Sequence, residues 1–379
     1  MIAVKGLLPL ALVLLLQQPQ AACDAGPRPD GGGSTPAGDS YTAGDGTRVL
    51  VETVARNLEV PWALAFAPDG RIFVTERPGR VRIIRNGQLL ATPALTLDDV
   101  SAVSESGLLG LALHPAFASN RWVYLFYTAA TPRGAVNRLV RYREVNDQLG
   151  ERAVLLDEVP ASGIHDGSRV KFGPDGRLYV TTGDAAVPSL AQDLGSYAGK
   201  ILRLNDDGTT PSDNPMGSPI YSYGHRNPQG IDWHPATGDL WATEHGPTGF
   251  DELNRILPGR NYGWPVITGG DSRAGMETPV WHYSPAIAPS GMAFYRGSAI
   301  PAFTNNLFFG TLRGMHLRRV RFEGTRVDFQ EALVDQRYGR IREVVFGPDG
   351  FLYFTTSNRD GRATPAAEDD RILRIRPAQ

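Results

Sequence analysis

One β-hairpin pattern recurs six times along the chain, and few folds can absorb that regularity. It reads PWALAFAPDGRIFVTER from Pro61, GLLGLALHPAFASNRWVYLFYT from Gly107 and SRVKFGPDGRLYVTTGD from Ser168. It returns as PQGIDWHPATGDLWATEHG from Pro228, PSGMAFYRGSAIPAFTNNLFFGTLRG from Pro289 and REVVFGPDGFLYFTTSNRDG from Arg342. Each copy is an apolar strand, a turn rich in Pro or Gly, and a second strand rich in aromatic and β-branched residues. The spacing of about 45 to 60 residues suits a four-stranded blade with inserted loops. One blade cannot bury both faces of its sheet, so blades must stack, and closing the stack into a ring leaves only short protected edges. The expected fold is therefore all-β, a six-bladed β-propeller over about residues 46–377. A β-sandwich gives no reason for such a repeat, and long amphipathic helical patterns are absent from the sequence.

The length of 379 residues, 41% apolar and 21% charged, fits one large all-β domain. A formal net charge of -2 gives no reason to expect a nucleic-acid partner. The amino terminus reads as an export signal over residues 1–22, with Lys5, an apolar run from Leu7 to Leu16, and Ala21-Ala22 near a cleavage point. The run is too short for a permanent membrane span. Cys23 follows at once and is the only cysteine. This arrangement resembles a bacterial lipoprotein site, with simple cleavage near Ala22 as the alternative. Both readings place the mature chain outside the cytoplasm, periplasmic or exported and tethered to a membrane if Cys23 carries lipid. A single cysteine rules out an internal disulfide framework. Residues 23–45, rich in Gly, Pro, Asp and Ser, read as a flexible tether.

The ring predicts where chemistry collects. In a blade the innermost strand lines the axis, so residues just before the first strand and just after the second share one face near it. The unusual polar residues fall there: Glu105, His165, Asp184, Arg226, His245, Arg313, Arg340 and Arg342. His165 and Asp184 lie about equally far from the Pro174-Asp175-Gly176 turn, so the imidazole and carboxylate should meet at the open end of the hairpin. Such a pair is either a satisfied loop contact or a general base held in one tautomer. Four arginines from different blades imply an anionic ligand with more than one carboxylate or phosphate, although any one alone could simply be solvated. The adjacent acids Asp251 and Glu252 point apart on an extended chain, which suits a turn or a cation better than a glycosidase pair. The sequence has no G-x-S-x-G, no G-x-G-x-x-G after a strand, and no H-E-x-x-H or C-x-x-C. A nicotinamide oxidoreductase is therefore disfavoured, and any metal is expected to be a hard cation rather than zinc.

The segments HDGSRVKFGPDG, GKILRLNDDG, YGHRNPQGIDW, EHGPTGFDELN, NYGWP, SPAIAPSGMAFY and GRIREVVFGPDG together resemble the quinoprotein glucose and sorbosone dehydrogenases, especially the aldose sugar dehydrogenase branch. The resemblance spans the whole expected propeller, and GHRNPQG is its most specific part. It implies pyrroloquinoline quinone (PQQ), a tricarboxylate, as cofactor, with aldoses oxidised at C1 to lactones and electrons passed to an external acceptor. On that resemblance His165 is the catalytic base, Asp184 orients it, and Arg226 stabilises developing charge. Cofactor contacts are implied at Glu105, Arg226, Asn227 and His245, and further round the ring at Thr311, Leu312, Arg313, Arg340 and Arg342. Calcium is implied at the main-chain oxygens of Gly246 and Pro247, with a second site at Glu252 and the Tyr262 loop. Glu105 stands where the family commonly has Gln, and an acid there would repel the cofactor unless it is protonated or bonded to a donor. Two rival readings keep the propeller: a calcium-dependent lactonase, and a non-enzymatic binding module. A neutral lactone needs no arginine clamp, and the joint presence of His165 and Arg226 weighs against the binder.

Overall fold

The computed structural model describes residues 38–378, and nearly all regular structure in them is strand. The strands form six sheets in sequence order, the expected six-bladed β-propeller. The inner strands are Pro61–Phe66, Leu108–Leu113, Val170–Phe172, Pro228–Trp233, Pro289–Phe294 and Ile341–Phe346. Each pairs antiparallel with the second strand of its own repeat, so every hairpin read from the sequence is the inner half of a blade.

Blade 6 is composite. Its inner three strands come from the carboxyl-terminal end, and Arg48–Ala55 then pairs with Ile372–Pro377. Asp39–Thr42 adds the outermost strand by pairing with residues 48–51, which corrects the tether boundary at residue 45. The short polar run DSYT looks like linker in one dimension, and only the neighbouring Arg48–Ala55 edge supplies its backbone partners. The expected signal and Cys23 lie outside the described residues.

Each interface between blades holds its own apolar cluster. Trp62, Phe73, Leu108 and Leu125 join blades 1 and 2. Ala293, Phe308, Ile341 and Phe354 join 5 and 6, while Leu64, Ile72, Val345 and Tyr353 close the ring between 6 and 1. Burial at about 25 cal/mol per Å² of apolar surface makes these the main stabilising contacts.

A polar clip accompanies the packing. The second-strand threonines of VTER, TTGD, ATEH and FTT donate to a main-chain oxygen on the next inner strand: Thr75 to Leu109, Thr181 to Pro228, Thr243 to Ser290 and Thr355 to Pro61, at 2.7 to 2.9 Å. The approach is close enough to require glycine at places. A Cβ at Gly230 would sit 2.5 Å from the Ser290 oxygen, so the hairpin pattern and the blade spacing constrain the same residue.

Candidate active site

His165 and Asp184 meet at the open end of the blade 3 hairpin, with imidazole Nδ1 2.8 Å from Asp184 Oδ1. The backbone is drawn in tightly to achieve this. His165 has a φ of 61°, unusual for a residue with a side chain, and a Cβ at Gly183 would fall 1.8 Å from the His165 carbonyl oxygen. The doublet glycine of TTGD is therefore what lets the imidazole approach its acid. Asp184 is fully buried and accepts two further bonds at 2.8 Å, from the Ala186 amide and from the indole N–H of Trp264. A carboxylate that meets three donor groups is held in a fixed direction. Its contact with Nδ1 leaves Nε2 as the nitrogen able to take a proton.

GHRNPQG supplies the neighbouring wall. Glu244, which ends the second strand of blade 4, accepts the main-chain N–H groups of Arg226 and Asn227 and lies 2.9 Å from His225 Nδ1. One buried carboxylate thus shapes the segment. The Asp184 amide donates to the Arg226 carbonyl at 2.8 Å, tying this wall to the dyad. The Arg226 guanidinium lies 5.3 Å from the Trp264 ring centroid and donates to the His245 carbonyl at 3.3 Å. Asn227 Oδ1 accepts the Gly167 amide at 3.0 Å.

Near the axis lies a cavity of about 240 Å³, lined in part by Glu105, His245, Leu312, Arg313, Arg340 and Arg342. The structure brings these six sequence-derived candidates together. His165, Arg226 and Asn227 are not in its lining but touch it at one remove: the His165 amide donates to Glu105 Oε2 at 3.3 Å, and Arg226 reaches His245 as above. Thr311 does not join them. Its hydroxyl is buried and donates to the His316 carbonyl at 2.7 Å, closing the turn after the blade 5 hairpin.

The electrostatics favour an anion. Arg342 is buried with no carboxylate in ion-pair contact, bonded through Nη1 to Gln229 Oε1 at 2.9 Å. Burial pushes its pKa down to about 9, still cationic at neutral pH. Arg313 is exposed, and Arg340 pairs with Asp360 at 2.8 Å. Burial also depresses the His245 pKa, and its Nε2 lies 2.8 Å from the Pro289 carbonyl, so a neutral ring donates there. Glu105 does not stand alone against an anion, because Arg362 pairs with it at 2.9 Å. Burial alone would raise its pKa, but the surrounding positive groups hold it below the ordinary value. Three buried nitrogens here, Arg226 Nε, Asn227 Nδ2 and Arg342 Nε, have no partner within the protein. Such donors signal an absent acceptor.

The implied metal residues divide. Asp251 serves the fold, accepting main-chain N–H groups of Gly246, Ile287 and Ala288 at 2.7 to 2.9 Å. Glu252 lies opposite Glu244 across paired strands, and burial followed by the repulsion of Glu244 pushes its pKa up to about 8. The Tyr262 hydroxyl is committed, donating to Arg255 O at 2.6 Å and accepting the Leu257 amide at 2.8 Å. That loop could therefore offer a cation only main-chain oxygen. Among the described residues no three His, Cys, Asp or Glu side chains are grouped as metal ligands.

Sequence reasoning missed Trp62, Asp166, Gln229 and Arg362 in the lining, and Trp264, Glu244 and Asp360 behind it. NYGWP and ATEHG carried the signal for Trp264 and Glu244. Nothing local marks Arg362.

A six-bladed ring that sets a histidine–aspartate pair beside a cation-rich axial cavity has the layout of a propeller enzyme, and comparison with known proteins makes that enzyme an oxidoreductase. Residues 58–368 match the family described as Glucose / Sorbosone dehydrogenase. The aldose sugar dehydrogenase YliI of Escherichia coli is 36% identical over 338 residues, covering 83% of this chain and 91% of that protein. The PQQ-bound aldose sugar dehydrogenase of Streptomyces coelicolor is 37% identical with a TM-score of 0.79, covering 90% of this chain and 99% of that one. An oxidoreductase of Thermus thermophilus described as a glucose dehydrogenase is 46% identical with a TM-score of 0.80, covering 86% and 99%. The chain belongs to the glucose/sorbosone dehydrogenase family.

Proposed function

We propose that the protein is a PQQ-dependent aldose sugar dehydrogenase that oxidises the sugar at C1 to the lactone and passes electrons to an external acceptor. The observation that carries this reading is the His165–Asp184 dyad set beside a cavity in and around which Arg342 Nε, Arg226 Nε and Asn227 Nδ2 lack partners. Arg342, Arg313, Arg340 and Asn227 would hold the acidic cofactor, and unpaired Arg342 Nε, Arg226 Nε and Asn227 Nδ2 fit a ligand rich in acceptor oxygens. Bound there, PQQ would supply the two-electron acceptor for hydride from the sugar. His165 Nε2 takes the C1 hydroxyl proton, and Asp184 compensates the imidazolium that forms. Arg226 supplies a fixed positive charge that needs no reorganisation during reaction. The cationic lining argues against the lactonase reading, since a neutral ring ester would leave these donors without partners.

Calcium is part of the proposal. The Gly246 and Pro247 main-chain oxygens would hold one ion, and Glu252 a second with main-chain oxygen of the Tyr262 loop. The raised pKa of Glu252, caused by burial and then by Glu244, suits a hard cation that would let Glu252 ionise. The signal-like residues 1–22 would direct the enzyme out of the cytoplasm, and Cys23 would serve as its lipid anchor.

The test is to add calcium, PQQ and glucose with an artificial dye acceptor to apo-protein and to identify the sugar product. Dye reduction that requires PQQ and yields lactone is expected. Lactone hydrolysis without PQQ, or silence in both assays, would overturn the reading.

A further inference from the structure

A fourth arginine lines the cavity, from a segment with no part in the hairpin repeat. Arg362 lies in the loop between the second and third strands of blade 6 and joins the cavity lining. Its guanidinium crosses to the loop before blade 2, where Nη1 donates to Glu105 Oε1 at 2.9 Å and Nη2 to Ser104 Oγ at 3.3 Å. The contact spans 257 positions of sequence and joins two loops at the same cavity.

The two partners differ in freedom. Glu105 is 23% exposed and is also held by the His165 amide, whereas the Arg362 side chain is 44% exposed. The Arg362 main chain is anchored, because its amide donates to Asp360 Oδ1 at 3.0 Å. Asp360 Oδ2 in turn accepts Arg340 Nε at 2.8 Å. One buried aspartate thus fixes Arg340 and the base of the loop that presents Arg362. Only the Arg362 side chain must swing for its charge to turn inward.

We propose that Arg362 is a further binding residue for a carboxylate of the cofactor, held in reserve by Glu105, so that this pair sets cofactor affinity by exchange. A half-exposed ion pair contributes little to stability, so an incoming carboxylate can replace Glu105 as partner. Glu105 has the opposite effect on an anion and lowers affinity while it remains ionised. The proposal rests on the assignment of PQQ above.

The experiment measures PQQ binding to apo-protein in calcium by quenching of tryptophan fluorescence, for which Trp62 in the cavity wall is the reporter. The proteins compared are wild type, Glu105→Gln, Arg362→Gln and the double variant. Hydrogen exchange of residues 101–107 and 359–365 is followed in parallel without ligand. Glu105→Gln is expected to bind on the order of tenfold tighter, the scale of one released charge pair, and to exchange faster in both loops. Arg362→Gln is expected to bind more weakly than wild type. The double variant should bind several-fold more weakly than Glu105→Gln, since the released arginine is then missing. If adding Arg362→Gln to Glu105→Gln changes nothing, Arg362 merely neutralises Glu105 and the proposal is overturned. Unchanged exchange and affinity in Glu105→Gln would also overturn it. Absence of PQQ binding by wild type would overturn the functional assignment and this exchange together, whereas binding insensitive to either residue overturns the exchange alone.

Discussion

The indole N–H of Trp264 donates to Asp184 Oδ2 at 2.8 Å, on the carboxylate oxygen opposite the one that meets His165. The same ring faces the Arg226 guanidinium at 5.3 Å. One residue from an insertion in blade 4 therefore contacts both the carboxylate that meets His165 and the nearby guanidinium. It is itself held by the loop, its amide donating to Gly224 O at 2.9 Å and its carbonyl accepting Gln192 Nε2 at 2.7 Å.

Trp264→Phe keeps a ring beneath Arg226 and removes the donor. The expected result is a drop in kcat of about tenfold, the scale of one hydrogen bond to a charged group, with KM for sugar near that of wild type. Steady-state kinetics at saturating cofactor checks it. A rise in KM with kcat unchanged would assign Trp264 to sugar binding instead.

Gly183→Ala should prevent the dyad from forming. The added methyl would collide with the His165 carbonyl oxygen at 1.8 Å, and backbone cannot yield as a flexible side chain can. A stability loss of about 2 kcal/mol or more is expected, read by urea denaturation. Any folded fraction should be inactive.

Asp166 makes stability depend on pH. It is buried in the cavity wall, and burial, the largest effect, pushes its pKa up to about 6. The Ser106 hydroxyl lies 2.6 Å from both Asp166 Oδ2 and the Ser162 carbonyl, yet has one hydrogen to give. A protonated Asp166 resolves the conflict by donating to Ser106. Because the folded pKa exceeds the unfolded one, this contribution is full below about pH 4 and is lost as pH rises through about 6. Asp166→Asn mimics the protonated acid. Its stability relative to wild type should therefore increase between pH 5 and pH 8, by on the order of 1–2 kcal/mol, as thermal melts across that range would show.

Arg342→Gln removes a buried cation that has no carboxylate in ion-pair contact. Its loss should weaken PQQ binding by about a hundredfold or more, the scale of a desolvated charged hydrogen bond. The folded protein should be no less stable, because burying that charge is costly without a ligand. Equilibrium titration and thermal melts together separate the two effects.

The six inner hairpins were legible because each is local: an apolar strand, a turn and its return lie within one short window. The His165–Asp184 contact was legible for the same reason, being the open end of one hairpin. Glu105 could be placed on the correct face but not explained, since its partner Arg362 becomes a neighbour only when the ring closes. Asp39–Thr42 was hidden likewise, as its strand partner is itself recruited to the last blade. Thr311 was assigned to the cavity by resemblance, but the turn that follows it takes up its hydroxyl.

The most direct test of the central claim is a PQQ titration of wild type and His165→Ala in calcium, read by binding and by dye reduction with glucose on the same samples. Equal binding is expected in both, with turnover of the variant slower than that of wild type by about 100-fold or more. Undiminished turnover in His165→Ala would contradict it.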